Sequence, residues 1–205
     1  MMSSTKVKKP YHHGMLRQTL IDEALRALER DGLERLSLRG LAAGAGVSKT
    51  APYRHFADKR ALLVALAAEG FRQLADTLET ALSAPRQTPP PYERATDGIR
   101  ALFDAYLQFA RSHPALYRLM LSRLGFSLHS ESCRINSERA FNCLVQAVKQ
   151  AQDGGWRQHH DFMGLVLSLW ADVHGWAGLL IDGLLPQSFQ SSPDAVSRAT
   201  EALLE

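Results

Sequence analysis

The sequence predicts an all-α protein. Apolar residues recur at spacings of three and four along most of the 205 residues, which is the periodicity of amphipathic helices. Serine, aspartate or glycine stands where these segments begin and end, as helix caps require. The alternation typical of a strand does not extend over a useful length. We expect about nine helices, arranged as an N-terminal three-helix domain followed by a larger C-terminal helical bundle.

The first sixty residues contain three helical segments in close succession. Apolar residues from Gly14 to Asp31 predict a long first helix, which Gly32 ends. Ser37 is expected to cap a short second helix that Gly46 ends, and a third helix is expected from Ser48 to Phe56. Two short helices joined by a glycine-containing turn are typical of a helix-turn-helix motif.

The remaining segments predict a second domain. Asp58 can cap a fourth helix that runs toward Leu82, and the proline-rich stretch 83–92 is expected to form a loop. Further helices are expected at 94–112, 116–124, 135–152, 161–183 and 194–204, the last with a cap at Ser192 and Pro193. We assign residues 1–12 to a flexible basic arm, 13–60 to the helix-turn-helix domain and 61–205 to the second domain.

Charge is distributed unevenly along the chain. Residues up to Arg60 contain 12 Lys and Arg against 6 Asp and Glu, whereas the rest contains 12 against 15. A basic N-terminal quarter on an acidic remainder indicates that one end meets a polyanion, and nucleic acid is the obvious candidate. Four basic residues could add an arm over DNA phosphates, although a basic disordered tail explains them equally well; they are Lys6, Lys8, Lys9 and Arg17.

Three features bear on the cellular compartment. No apolar stretch follows the basic residues at the N-terminus, so we expect no secretory signal and a cytoplasmic protein. Segment 162–181 is long enough to span a membrane, but Asp172 near its middle would cost about 2.5 to 3.5 kcal/mol there, so we expect a helix buried in protein. Cys133 and Cys143 would lie about 15 Å apart on one helix, which favours free buried thiols over a disulfide. A redox sensor is the alternative.

The stretch SKTAPYRHF holds the side chains that would face DNA. In a helix-turn-helix the N-terminal residues of the second helix contact base edges in the major groove. Lys59 follows at the start of the next helix, where the macrodipole disfavours a cation unless a phosphate binds there. A solvated surface lysine is an equally good interpretation of Lys59.

The stretch LSLRGLAAGAGVSKTAPYRHFADKRALL closely resembles the helix-turn-helix core of the tetracycline-repressor (TetR) family. YHHG before the first helix and LWADVHGWAG late in the chain resemble a TetR subgroup with a Trp-x-x-x-His-Gly signature, present here as Trp170, His174 and Gly175. The resemblance implies a homodimeric repressor that binds a palindromic operator and releases it when a small molecule enters the C-terminal domain. Carried over by motif position, contacts with bases or phosphates fall on Ser37, Arg39, Lys49, Thr50, Ala51, Tyr53, His55 and Lys59.

Helix 161–183 carries two apolar stripes, one through Phe162, Val166, Leu169, Val173 and Trp176 and the other through Leu165, Trp170, Ala177 and Leu184. One can face the core of the chain, and the second needs another partner, which a twofold dimer supplies. The family resemblance places dimerisation on the last two helices, so the candidate interface residues are Trp176, Leu180, Leu184, Leu203 and Leu204.

Aromatic and apolar residues of the second domain could line an effector cavity with His174 as its polar anchor. They are Phe103, Tyr106, Phe109, Tyr117, Met120, Phe126, Phe141 and Trp170. At helical spacing such side chains are also ordinary core, and His174 can equally be a core histidine that donates to a carbonyl across helices. The sequence identifies no effector.

Enzymatic function is not expected. The chain has no nucleophile motif, no phosphate-cradling glycine loop and no metal-ligand spacing, so we expect no cofactor and no metal. Asp172 and His174, two apart on a helix, face different sides. The pairs His12-His13 and His159-His160 are interpreted as exposed polar residues. A helical interaction protein without DNA binding is a further alternative, against which the basic N-terminal quarter argues.

Overall fold

The computed structural model describes residues 13–84, 93–122, 130–186 and 195–205. Those ranges contain eight α-helices, one 3-10 helix and no strand, which confirms the predicted fold class and comes close to the predicted helix count. The predicted basic arm, the cap at Ser192 and Pro193, and Phe126 lie outside the described residues. The α-helices are α1 (His13–Asp31), α2 (Leu38–Gly44), α3 (Lys59–Ser83), α4 (Glu93–Ser112), α5 (Pro114–Leu121), α6 (Glu131–Asp153), α7 (Phe162–Ile181) and α8 (Ala195–Leu204).

The chain forms two compact units, of which the first ends at Leu66 and the second begins at Ala67. In the first unit α1, α2 and the beginning of α3 bury the apolar faces that the periodicity indicates. The buried residues include Leu20, Ile21, Ala24, Leu28, Leu38, Leu41, Phe56, Leu62 and Leu66. Burying apolar area is the main stabilising contribution to so small a core.

Helix α2 is delimited at both ends as the sequence indicates. The Ser37 hydroxyl accepts a hydrogen bond from the Gly40 amide at 3.1 Å, which satisfies one of the free N–H groups of the first turn. At the other end the Gly46 and Val47 amides donate back into the helix at 3.2 and 3.0 Å. This pattern requires a left-handed residue, and Gly46 supplies it with φ +66°. The glycine therefore sets the sharp turn after α2.

The predicted third helix, Ser48–Phe56, is wrong as an α-helix. The segment consists of turns around a 3-10 helix, Pro52–Arg54. Pro52 has no N–H, so the hydrogen bond that would tie it to the Ser48 carbonyl is absent, and the Ala51 amide bonds to that carbonyl instead at 3.0 Å. The Ser48 hydroxyl does not cap a helix and lies 3.3 Å from the Thr50 hydroxyl.

Helix α3, with 25 residues, is the longest helix in the described ranges. The predicted cap is confirmed, because the Asp58 carboxylate accepts a hydrogen bond from the Ala61 amide at 2.7 Å. Its first two turns belong to the first unit, and its remainder, which buries Phe71, Leu74 and Leu78, belongs to the second.

Helix α4 is the central element of the second unit. It packs against α5, α6, α7 and α8, and α6 also packs against α7. Two helix starts differ from the sequence prediction. Helix α5 begins at Pro114, whose ring fits the first helical position, and α6 begins at Glu131 because Ser130 accepts a hydrogen bond from the Cys133 amide.

The turn after α6 holds the last helix in place. The Trp156 indole donates to the Leu204 carbonyl at 2.7 Å, and the Arg157 guanidinium donates to the Leu203 carbonyl at 2.9 Å. Carbonyls in the last turn of a helix have no partner within it, so these two side chains satisfy oxygens that would otherwise depend on water.

Helix α7 is less buried than the sequence predicts. It is the one helix among the described residues that is long and apolar enough to cross a membrane by length and composition alone, and 28% of its most apolar window is buried. Leu165, Val166, Leu169, Val173 and Ala177 pack inward. The predicted second stripe is wrong in part, because Leu165 and Ala177 are buried in the chain's own core and Trp170 is half-buried. The exposed large apolar side chains of α7 are Met163, Leu167 and Leu179, which lie on its other face.

Removing the cap of α3 should destabilise the fold. Asp58→Ala leaves the Ala61 amide without its partner, so we expect the free energy of unfolding in urea to fall by about 1 kcal/mol. Asp58→Asn keeps a side-chain oxygen at the same position and should retain most of the stability. Equal losses in the two variants would show that the carboxylate does not act as a cap.

Candidate functional site

The turn-rich segment after α2 presents polar side chains to solvent. Lys49, Thr50 and Tyr53 are exposed, and Tyr53 keeps 49% of its surface accessible although it is a large aromatic residue. Pro52 and Phe56 are buried and fix the segment to the first unit. The alternation of anchored and exposed positions holds the exposed side chains outward, as recognition of a groove requires.

The other predicted DNA contacts differ in their exposure and in their hydrogen bonds. Arg39 is exposed on the first turn of α2, whereas Ala51 and His55 are half-buried. Ser37 is exposed, and although its oxygen caps α2 its hydroxyl proton remains able to donate. The Lys59 ammonium lies 2.9 Å from the Leu33 carbonyl and 3.4 Å from the Glu34 carbonyl. Lys59 therefore joins the start of α3 to the turn between α1 and α2.

Several cations of the first unit have no carboxylate partner among the described residues. The carboxylates of Glu23 and Asp31 pair with Arg26 and Arg30 on α1. In contrast, Arg39, Lys49 and Arg54 form no salt bridge with any carboxylate in the part of the chain that the structure describes. Unpaired cations beside an exposed tyrosine suit a polyanion.

Two arginines of this unit change the sequence interpretation. Arg54 was not among the predicted contacts, although it follows Tyr53 in the 3-10 helix and is exposed. Its position in SKTAPYRHF is the signal that could have identified it. Arg17, interpreted as part of a phosphate-binding arm, lies over the Phe56 ring at 5.6 Å from the centroid.

A polar relay crosses the core of the second unit. The Tyr106 hydroxyl on α4 lies 3.2 Å from the Tyr117 hydroxyl on α5 and 3.0 Å from Nε2 of His174 on α7. His174 Nδ1 lies 2.7 Å from the Trp170 carbonyl one turn earlier in the same helix. The carbonyl partner of His174 is thus in its own helix, and its partner across helices is a tyrosine.

The direction of the relay follows from the Trp170 carbonyl, which can only accept. His174 Nδ1 therefore carries a proton and donates, and in the neutral ring Nε2 accepts. The Tyr106 hydroxyl must then donate to Nε2, and the Tyr117 hydroxyl must donate to Tyr106. Burial favours this neutral state, because it lowers the pKa of His174 below its ordinary value and the hydrogen bond to the Trp170 carbonyl opposes it less strongly. Burial also raises the pKa of Tyr106 and Tyr117.

Aromatic rings surround the relay. The Tyr106 ring meets Trp170 edge to face at 6.1 Å between centroids, and Trp170 meets Phe141 at 5.3 Å. Between them lies an apolar cavity of about 10 Å³, lined by Leu78, Leu102, Phe103, Tyr106, Ala140, Leu144, Trp170 and Val173. Three residues of the predicted pocket therefore line the same cavity.

The other predicted pocket residues lie outside that lining. Tyr117 and His174 contact Tyr106, and Phe141 contacts Trp170. Met120 is fully buried close to Gly70 of α3, where an added methyl group would lie 2.6 Å from the Met120 sulfur. Phe109 is buried and stacks obliquely on His113 at 5.2 Å.

The described residues lack the features of a metal site and of a reactive thiol. They contain no group of three His, Cys, Asp or Glu side chains that could hold a metal ion. Cys133 and Cys143 are buried and in no disulfide, and burial raises the pKa of both thiols, which disfavours the reactive thiolate.

Family comparisons account for both units. Residues 20–66 match the model of bacterial regulatory proteins, tetR family. Residues 99–203, about half of the chain, match the model described as tetracyclin repressor-like, C-terminal domain. The chain belongs to the TetR family. The family consists of bacterial regulatory proteins, which confirms that the chain is a DNA-binding regulator and not an enzyme.

Individual relatives agree with that assignment. A protein of unknown function from Rhodococcus sp. RHA1 is 34% identical, with 95% of this chain and 96% of that chain covered and a TM-score of 0.79. The TetR family transcriptional regulator PfmR from Thermus thermophilus is 22% identical, with 90% and 96% covered and a TM-score of 0.60, and this likeness shows the fold alone. The HTH-type nicotine-responsive transcriptional repressor HdnoR from Paenarthrobacter nicotinovorans is 47% identical over 58 residues, which are 28% of this chain and 30% of that relative.

Acid should weaken the second unit through His174. A group whose pKa is lowered in the folded state contributes stability that is present above its unfolded value and lost as the pH falls toward its folded value. Between about pH 7.5 and pH 5, the free energy of unfolding should therefore fall more in the unmodified protein than in His174→Gln, whose amide does not titrate. All other titrating groups are common to both proteins. Parallel curves for the two would contradict a neutral, buried His174.

Proposed function

We propose that this TetR-family regulator is a repressor that binds a palindromic operator as a homodimer and releases it when a small molecule binds the second unit. The observation that supports operator reading is the exposed segment Lys49–Arg54, whose cations have no partner in the described protein. Arg39 lies on α2, the helix before this segment, and is expected to add a contact with DNA. The DNA phosphates would supply the missing negative charge, and Tyr53 would contact base edges or the sugar-phosphate backbone.

The homodimer is proposed to form through the exposed face of α7. Met163, Leu167 and Leu179 are 45%, 55% and 38% exposed on one helix, and Leu184 just beyond it is 68% exposed. Small residues between them would let a second helix approach closely. A self-complementary apolar patch is satisfied by a second copy of the chain related by a twofold axis. Two reading segments about 34 to 36 Å apart would then match one turn of DNA and a palindromic site.

The candidate interface residues from sequence are retained in part. Leu184 is exposed, and Trp176, Leu180 and Leu203 are half-buried, so each can contribute area. Leu204 is 3% exposed and belongs to the core of its own chain, so it is not part of the proposed interface.

Release by a small molecule is proposed to act through α3. Leu78 of α3 lines the apolar cavity, and α3 begins at Lys59, which is bonded to the turn between α1 and α2. A molecule that enlarges the cavity would displace Leu78 and with it a helix that continues into the DNA-binding unit. Such a ligand favours the conformation in which operator contacts are weaker.

The signature Trp170, His174 and Gly175 supports membership of the proposed TetR subgroup. The bond from His174 to the Trp170 carbonyl gives a physical reason for the four-residue spacing. We also place the protein in the cytoplasm, where a bacterial regulator meets chromosomal DNA.

Operator binding is expected to depend on the exposed segment. Lys49→Ala and Tyr53→Ala should each weaken binding to a labelled fragment of the gene's own upstream region about tenfold or more, because each removes a base or phosphate contact. For Lys49→Ala the salt dependence should also become shallower by about one unit of slope. Affinity is measured by fluorescence anisotropy across a salt series with random DNA as competitor.

Lys149→Ala is the matched control for these variants. Lys149 is an exposed lysine on α6 that pairs with Asp153, so its removal changes the net charge by the same amount far along the sequence from the proposed site. Full operator affinity in both segment variants, or an equal loss in Lys149→Ala, would refute the assignment of Lys49–Arg54 as the reading segment.

A charged residue on the exposed face of α7 should prevent dimerisation. Leu167→Glu would bury a carboxylate at the proposed interface, so light scattering should give the 22.7 kDa mass of one chain instead of twice that value. Operator affinity should fall with it, because one reading segment is lost from each complex. Ile135→Glu changes a comparably exposed residue on α6, 44% accessible, and should remain dimeric. A dimeric Leu167→Glu would exclude this face.

A further inference from the structure

The relay is unusual for the core in which it lies. Tyr106, Tyr117 and His174 come from three helices and meet at one point. The other buried residues of the described chain are apolar, apart from Thr96, Thr200 and the two cysteines. Replacing both partners of a buried hydrogen bond by apolar groups of the same shape is close to neutral for stability. Packing alone therefore does not require three polar groups here.

We propose that the relay selects the effector, and that the effector is a neutral, flat aromatic molecule carrying a hydrogen-bond donor. This inference rests on the proposed release of the operator by a small molecule. It adds the chemical class of that molecule and the atom that recognises it, which is the Tyr106 hydroxyl oxygen.

The lining of the cavity favours an aromatic ligand. Its lining is aliphatic and aromatic, and Tyr106 and Trp170 form part of its wall. At about 10 Å³ the cavity is closed to any ring, whereas a cavity that binds benzene measures about 150 Å³. Trp170 and Phe141 are the half-buried members of the cluster, so their rings are the ones that can turn outward. A flat ring can then take the place that the Trp170 ring leaves.

The direction of the relay determines the donor. Tyr106 carries the one hydroxyl among the lining residues. Its proton goes to His174 and one of its lone pairs accepts from Tyr117, which leaves a second lone pair without a donor among the described residues. A ligand O–H or N–H can bond to that lone pair without disturbing the relay. A ligand that can only accept would have to take the Tyr106 proton from His174.

The absence of charge at the cavity determines neutrality. No lining residue is ionisable near neutral pH, and burial lowers the pKa of His174, which favours its neutral form behind Tyr106. Charged groups on the same helices are engaged or point elsewhere: Arg118 is paired with Asp182 at 2.7 Å, and Asp104 is exposed. A buried ion in the cavity would lack the counter-charge that burial demands.

The test uses four small probes with the same ring on the full-length protein. Phenol is neutral and donates, anisole only accepts, benzoate is an anion and benzylamine a cation. Isothermal titration calorimetry should give phenol a dissociation constant at least about tenfold lower than that of each of the other three. Operator affinity without any probe is measured on the same preparation.

Two variants separate recognition from packing. Tyr106→Phe removes the recognising oxygen and should reduce the advantage of phenol over anisole to about nothing. Tyr117→Phe leaves the Tyr106–His174 bond in place and frees another lone pair, so phenol should bind as tightly as before or more tightly. Thermal unfolding of both variants confirms that they fold. If Tyr106→Phe does not fold, the order of the four probes on the unmodified protein still decides.

Three results would overturn the inference. The first is that benzoate or benzylamine binds as tightly as phenol, and the second is that Tyr106→Phe and Tyr117→Phe lose phenol binding equally. The third is that phenol does not bind at about 10 mM, where a ligand of this size with well-placed contacts should be detected. Specific operator binding combined with any of these would leave the repressor proposal standing without this site. The expected probe order without operator binding would remove the repressor proposal and keep the site.

Discussion

The continuity of helix α3 is the constraint on which the other features depend. One helix, capped by Asp58 and uninterrupted to Ser83, supplies core residues to the first unit and then to the second. A helix of this length keeps its hydrogen bonds only if it moves as a single piece, since a bend requires a proline, a bulge or an inserted group. Its first turn is bonded through Lys59 to the turn before α2, and its last turns wall the apolar cavity through Leu78. On the proposed mechanism, α3 is therefore the element through which a change at the cavity would reach the first unit.

The sequence predicts the helices well because their caps and apolar faces are local. Ser37, Gly46 and Asp58 act as the pattern indicates, since each bonds within a few residues of its own position. The segment after Gly46 is mispredicted for a reason that is also local. Pro52 lies four residues beyond Ser48, so it removes the bond that would make the turn α-helical, and the polar periodicity of SKTAPYRHF does not reveal this.

The parts of the sites that depend on distant residues could not be predicted. Tyr106 and His174 are 68 positions apart, and no spacing rule brings them within 3.0 Å. The place of Lys59 at a helix start predicts a phosphate ligand, but it does not reveal that the ammonium also contacts carbonyls 25 and 26 residues earlier. Leu204 has the apolar character of an interface residue, but whether such a residue faces its own core or a second copy depends on how α8 lies against α4, which only the folded chain determines.

The closed cavity constrains how repression could be relieved. A ligand shifts a conformational equilibrium only by the difference between its affinities for the two states. With about 10 Å³ available beside Tyr106, an aromatic molecule does not fit the cavity as it stands. On the proposed mechanism the ligand would therefore bind the open state, and its binding free energy would favour that state. Linkage makes the effect mutual, because an operator that prefers the closed state must weaken ligand binding by the same factor. A tightly packed aromatic core is therefore compatible with the proposed effector site, and it would give that site a large coupling together with a weaker apparent affinity for the effector.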